Sequence, residues 1–296
     1  GFRGGDAEAR GHLERVGRAF LEGYHAAVEE GRPDSLGPRL DAIDPALRGF
    51  AYEGAAMGLA LLDNLTPRCG DRLAGLLAGH GVDHVYMVHV GVGWALARLA
   101  WLRADPARCL AKLDPLLRWL ALDGYGFHEG YFSWRRSVEG RAIPGRLAGY
   151  ARRAFDQGLG RSLWFVDGGD VGRIPETIAA FAPQRRADLW SGVGLACAYA
   201  GAADRPALES LHGASGAHHP YLAQGAAFAA KARQRAGNAQ DYTGRACSVF
   251  CDLSADEAAA VTDDALADLP PDGAVPAYEA WRARIRYRFM EEVATR

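Results

Sequence analysis

The chain has 296 residues, of which 49% are hydrophobic and 24% charged, and its 34 basic and 36 acidic side chains leave a net charge of -2. A chain of this length buries enough surface to fold without disulfides or a structural metal, and its composition is that of a globular protein. The near-neutral balance excludes a strongly basic nucleic-acid binder, so no nucleic-acid partner is expected.

Helix signals run the length of the chain. Asp6 opens a segment in which Leu13, Val16, Phe20, Tyr24 and Val28 recur three or four apart, the stripe of one helix, and Gly31 and Pro33 stop it. Asp44-Pro45, Asp105-Pro106 and Asp114-Pro115 each set a capping carboxylate before a proline, and Thr66-Pro67 does so with a hydroxyl. Such a side chain accepts hydrogen bonds from the free N–H groups of a first turn, where proline loses no bond. The longest apolar stretch, Val85 to Leu102, contains His89 and Arg98. A membrane span rarely tolerates both, so a buried helix is expected there. Ser254 with Glu257 reads as a capping box, and Pro270-Pro271 breaks the chain before a last helix from about Pro276 to Thr295. Val85–Val90 and Leu163–Val166 are the only strand-like runs, and both sit inside helical periodicity. The reading is one all-α domain over residues 1–296.

A repeat underlies the pattern. The segments ending at Gly54, Gly91, Gly130, Gly158, Gly192 and Gly225 each place a glycine after a short aromatic or polar run, at spacings of 37, 39, 28, 34 and 33 residues. Glycine inside a helix costs about 1 kcal/mol against alanine, so its recurrence suggests close helix–helix approach. A period near 34 fits helix-hairpin repeats of the tetratricopeptide kind, stacked as a superhelix or curled into an α/α ring. Residues just before each glycine would then share a height: Glu53, His89, His128, Glu129, Asp156, Gln157, Ser191 and Gln224. Tyr52, Tyr86, Trp94, Tyr125, Phe127, Phe155 and Trp190 lie beside them. An aromatic cavity with a few polar groups suits an elongated apolar ligand, although aromatics at these spacings also build ordinary cores. From this set Glu53, His89, His128, Glu129 and Asp156 are candidate acids or bases. Tyr52, Tyr86, Trp94, Tyr125, Phe127, Gln157, Trp190 and Gln224 are candidate ligand contacts.

Nucleotide, flavin, P-loop, hydrolase-elbow and zinc-protease motifs are missing, and no set of three ligands has metal spacing. The cofactor is therefore unknown. Cys69, Cys109, Cys197, Cys247 and Cys251 are odd in number and scattered, which reads as reduced cytoplasmic thiols. What is present of the N-terminus shows no signal peptide. Arg152-Arg153 and Arg185-Arg186 read as solvated faces, as does the acidic stretch from Asp256 to Asp268.

Long blocks of wording carry a family resemblance: Leu13-Glu-Arg-Val-Gly-Arg-Ala-Phe20, Phe50-Ala-Tyr-Glu-Gly-Ala-Ala-Met57, Val85-Tyr-Met-Val-His-Val-Gly91, and the stretches 120–132, 152–165, 186–200 and 222–238. Together they resemble the UnbL-like proteins of enediyne polyketide gene clusters, a domain of unknown function. The resemblance implies a place beside the iterative polyketide synthase that makes a linear conjugated polyene. It also implies two accessory partners, one soluble with a propeller-like repeat and one membrane-embedded and redox-like. It carries no catalytic residues with it. Two functions follow as expectations: a catalyst that helps turn the polyene into the alkyne-bearing core, or a scaffold that holds the polyene or its partners without chemistry.

Overall fold

The computed structural model describes residues 1–66, 71–100 and 110–294, and among them it has fourteen α-helices and no strand. In chain order these are α1 (Ala7–Glu30), α2 (Pro33–Asp41), α3 (Pro45–Leu65), α4 (Arg72–Ala78), α5 (Val85–Leu99), α6 (Arg118–Phe132) and α7 (Tyr150–Val166). There follow α8 (Arg173–Ala179), α9 (Pro183–Ala200), α10 (Arg205–Ser215), α11 (His219–Arg235), α12 (Asp241–Phe250), α13 (Ala255–Asp264) and α14 (Ala277–Ala294).

The capping signals act largely as their chemistry requires. Asp6 accepts from the Ala9 N–H at 2.8 Å, and α1 ends on Gly31 in the left-handed region at φ 62°. Asp44 caps α3 through the Ala46 N–H, and Ser254 with Glu257 closes a reciprocal box at α13. Asp114 accepts from the N–H groups of Leu116 and Leu117, but a turn intervenes before α6 starts at Arg118. Thr66 ends α3 instead of opening a helix: its hydroxyl donates back to the Leu62 carbonyl at 2.7 Å. Both strand-like runs are helical, one in α5 and one in α7. Pro67, Cys69, Asp105-Pro106, Cys109 and Thr295 lie outside the described residues. Cys197 and Cys247 are buried free thiols, and Cys251 is buried as well. No helix among the described residues is long and apolar enough to cross a membrane.

Seven helices form one row, in which α1 packs on α3, α3 on α5, α5 on α6, α6 on α7, α7 on α9 and α9 on α11. The seams follow a glycine register. Helices α5, α6, α7 and α9 carry Gly91-x-Gly93, Gly124-x-Gly126, Gly158-x-Gly160 and Gly192-x-Gly194. A Cβ on the first glycine of each pair would run into a carbonyl oxygen of the preceding helix, at Glu53, Val90, Asp123 and Gln157 in turn. A Cβ on the second would meet a carbonyl of the following helix, at Ala121, Phe155, Leu189 and Leu222. Gly225 closes the series on the Ser191 carbonyl. Backbones approach this closely only without side chains between them, and the dense contact offsets the helix cost of glycine.

This corrects one member of the sequence repeat. The third glycine in register is Gly124, not Gly130, and the spacings from Gly54 to Gly225 become 37, 33, 34, 34 and 33 residues. Gly130 instead faces the Ser162 side chain on α7. The row also turns back on itself. His12 of α1 donates to the Ala200 carbonyl at 2.6 Å, Arg233 of α11 to that of Ala46 at 2.8 Å, and Asn238 to that of Pro45 at 2.9 Å. The short helices α2 and α4 pack outside α1 and α3, while α8, α10 and α12 pack around α9 and α11.

Candidate functional site

The residues before the register glycines are Glu53, Val90, Asp123, Gln157, Ser191 and Gln224, and all six are buried. Five are polar, so the row carries a polar ladder through its interior. Buried polar groups must find partners, and these find one another across helices. Gln157 donates to Asp123 at 2.8 Å, and Ser191 donates to Gln224 at 3.0 Å. Arg282 of α14 donates to Gln224 at 3.1 Å and to Asp188 at 2.9 Å. The ladder ends there in a dense ionic cluster. Arg153 reaches Asp188 at 2.9 Å and Glu279 at 3.0 Å, Arg286 reaches Glu279 at 2.6 Å, and Tyr150 donates to Glu279 at 2.7 Å.

The opposite end of the ladder opens into a cleft of about 1090 Å³ between α1, α3, α5, α6 and the end of α7. Nine aromatic side chains line it. Phe20, Phe50, Trp94, Phe127 and Phe165 form the inner wall, with Trp94 edge-on to Phe127 at 5.0 Å and tilted against Phe20 at 4.6 Å. Phe2, Tyr131, Phe132 and Trp134 stand nearer the mouth, where Phe132 is 54% exposed. The charged lining residues Arg3, Glu14, Arg18, Arg135 and Glu139 are all at least partly exposed. Glu53 is different: it is 1% exposed and lines the same cleft from the middle of α3.

The Trp94 Nε1–H donates to Glu53 Oε1 at 2.9 Å, and the Arg161 guanidinium stands 3.9 Å from that oxygen. Arg161 is bound closely to Asp123, at 2.5 Å, and lies 4.8 Å over the Phe127 ring. Burial pushes the Glu53 carboxyl up to about 7; Arg161 and the Trp94 hydrogen bond pull against that rise, and Asp123 adds to it. Behind this partition lies a second, small cavity of about 40 Å³, largely apolar and touched by Asp123, Arg161 and Tyr199. Arg161 Nε and the Tyr199 hydroxyl are buried there without a hydrogen-bond partner.

Of the residues singled out from sequence, Glu53, Trp94 and Phe127 meet in the cleft. Gln157 and Gln224 belong to the ladder, and Tyr86 lines the small cavity. His128 lies edge-on to Trp94 at 5.6 Å, with neither ring nitrogen hydrogen-bonded; Glu129 comes within 3.4 Å of it, outside hydrogen-bond geometry. The others line neither cavity. His89 spends Nδ1 on the Val85 carbonyl of its own helix at 2.7 Å. Asp156 binds Arg185 at 2.8 Å, and burial raises its carboxyl pKa against that partner's pull. Tyr52 donates to Asp41 at 2.7 Å and stacks on His84 on the outer side of α3. Tyr125 packs against Phe155, and Trp190 is buried in the core. The arginine pairs are solvated only in part, with Arg152 exposed and Arg153, Arg185 and Arg186 half-buried. Arg153 and Arg185 hold carboxylates, while Arg152 and Arg186 bond the Leu147 and Phe181 carbonyls.

Sequence reasoning missed Asp123, Arg161, Tyr199, Phe20, Phe50 and Phe165 as site residues. Asp123 was legible from the glycine register once Gly124 is taken as its third member. Arg161 was signalled as a lone cation among Leu159, Leu163, Trp164 and Phe165. For the phenylalanines no local signal separates cleft from core. Among the described residues no group of three or more His, Cys, Asp or Glu side chains is placed to hold a metal ion.

Against known proteins, the chain matches the family described as protein of unknown function (DUF1702) over residues 1–289, and it belongs to that family. Neither the curated proteins nor the solved structures contain a match to it.

Proposed function

We propose that the protein acts in enediyne polyketide biosynthesis, where it binds a linear conjugated polyene and helps convert it toward the alkyne-bearing core together with partner accessory proteins. The observation that carries this reading is the cleft: nine aromatic rings around about 1090 Å³, with one buried carboxyl among them. A flat conjugated chain gains from stacking and edge contacts with such rings and from leaving water. Cleft and carboxyl belong to the elements α1, α3, α5 and α6, whose sequences also carry the UnbL-like wording. A carboxyl side chain moves protons but not electrons, so the oxidation that an alkyne demands would draw on a partner of the pathway.

A second reading, a polyene-binding module without chemistry, is favoured by the same observation, since Glu53 is the lone buried titratable side chain of the cleft lining. Titrating the purified protein into a conjugated polyene, followed by absorbance and mass, separates the two. A shifted band with unchanged mass means binding alone. Loss of the band with a new mass means conversion. An unchanged spectrum at saturating protein removes the polyene from both readings.

A further inference from the structure

The partition at the cleft floor holds two acids and one base. Glu53, Asp123 and Arg161 are 1%, 1% and 2% exposed. Two carboxylates beside one guanidinium leave a buried negative charge, which a low-dielectric interior disfavours strongly, so one proton belongs to the trio. The partners decide where it goes. Asp123 receives Arg161 at 2.5 Å and the Gln157 amide at 2.8 Å, so the close cation and a second donor are both spent on this acid. Glu53 receives the Trp94 indole, and Arg161 stays 3.9 Å away. The proton therefore sits on Glu53. The other charged or titratable groups facing this position agree. Tyr199 on α9, whose pKa burial raises, brings no charge, and His128 on α6 lies edge-on to Trp94, while Glu14 with Arg18 and Arg3 with Glu139 pair with each other at the mouth, leaving Arg135 as an outer cation.

A neutral carboxylic acid on the wall of an aromatic cleft is a hydrogen-bond donor, and a hydrocarbon gives it nothing to donate to. We infer that the polyene carries a carbonyl group at its inner end, and that the Glu53 carboxylic acid donates a hydrogen bond to that carbonyl oxygen while the aromatic walls hold the conjugated chain. The inference rests on the polyene-binding reading above and adds the ligand's polar end and its direction of entry. Trp94 fixes one Glu53 oxygen, so the acid presents a defined face to the cleft.

The test compares two probes of equal length: an all-trans tetraene ending in a methyl ketone, and the tetraene hydrocarbon. Binding is read by quenching of tryptophan fluorescence and by the probe's absorbance at pH 6 and pH 8.5. The ketone should bind about tenfold tighter at pH 6, the scale of one neutral hydrogen bond. Its band should move to longer wavelength, and its advantage should shrink at pH 8.5 as Glu53 loses its proton. Glu53→Gln, which still donates, should keep the preference at both pH values, and Glu53→Leu should abolish it. The pH comparison on the unmodified protein stands even if the leucine variant fails to fold. Equal binding of the two probes overturns the inference and leaves the polyene reading intact. Binding of neither overturns both.

Discussion

The polar ladder has two ends built from the same residue types, and they are finished differently. At α14, Asp188 and Glu279 are surrounded by Arg153, Arg282 and Arg286, with the Tyr150 hydroxyl added. Cations match or outnumber anions, and the cluster locks the last helix onto the row. At α3, Glu53 and Asp123 share Arg161, and the acid left short of a partner is the one that faces the aromatic cleft. One end of the ladder is saturated with cations, and the other leaves a buried carboxyl short of one.

The sharpest way to break this comparison is at the saturated end. Arg282→Ala should destabilise the protein by about 3–5 kcal/mol, because Asp188 and Glu279 stay buried with fewer cations. A urea titration measures this, and a loss below about 1 kcal/mol would mean that the cluster is not what holds α14. Next in size, Gly158→Ala puts a methyl group against the Asp123 carbonyl between α6 and α7, which should cost about 1–3 kcal/mol despite the better helix propensity of alanine. Gly213→Ala, on α10 with open space around it, serves as its control and should be neutral or slightly stabilising.

The deficient end should show itself in pH. Folding raises the Glu53 carboxyl from the ordinary carboxylate range to about 7, so the folded state holds this proton more tightly than the unfolded chain. Its contribution to stability is complete below the unfolded value near 4.5 and is lost as pH rises through about 7. Buried His84 and His89, whose pKa values burial lowers, act with the opposite slope, so the difference between the parent and Glu53→Gln isolates the term. That difference should shift in favour of Glu53→Gln between pH 5 and pH 8; parallel curves would show that Glu53 does not carry the proton. The smallest effect belongs to Trp94→Phe. It removes the indole donor from Glu53 while keeping a ring in the wall, and it should cost about 1 kcal/mol and push the Glu53 carboxyl still higher. The pH midpoint of ketone binding measures that second effect.

Much of this molecule could be read along the chain. Helix ends at Asp6, Gly31, Asp44 and Ser254 are local decisions, made by side chains bonding the backbone within a few residues. The glycine period is nearly local as well, because each helix must present a bare backbone to two neighbours, one on each side. The misplaced third member shows its limit: His128-Glu129-Gly130 drew attention by composition, while Asp123-Gly124 keeps the register. Arg153 and Arg185 read as solvent-facing because an arginine pair looks the same in sequence whether or not a carboxylate 29 or 35 residues away comes to meet it.

By itself, then, the sequence determined an all-helical chain, the seams at which its helices touch, and the candidacy of Glu53, Trp94 and Phe127. Only the tertiary structure decided which polar residues share a partner, and which aromatic rings face empty space instead of one another. The reason is physical. Propensity and capping act over one or two turns, but a carboxyl in a shared buried cluster keeps or loses its proton through charges on helices far along the chain. The turning back of the row that assembles α1, α3, α5 and α6 around one cleft appears in no single segment.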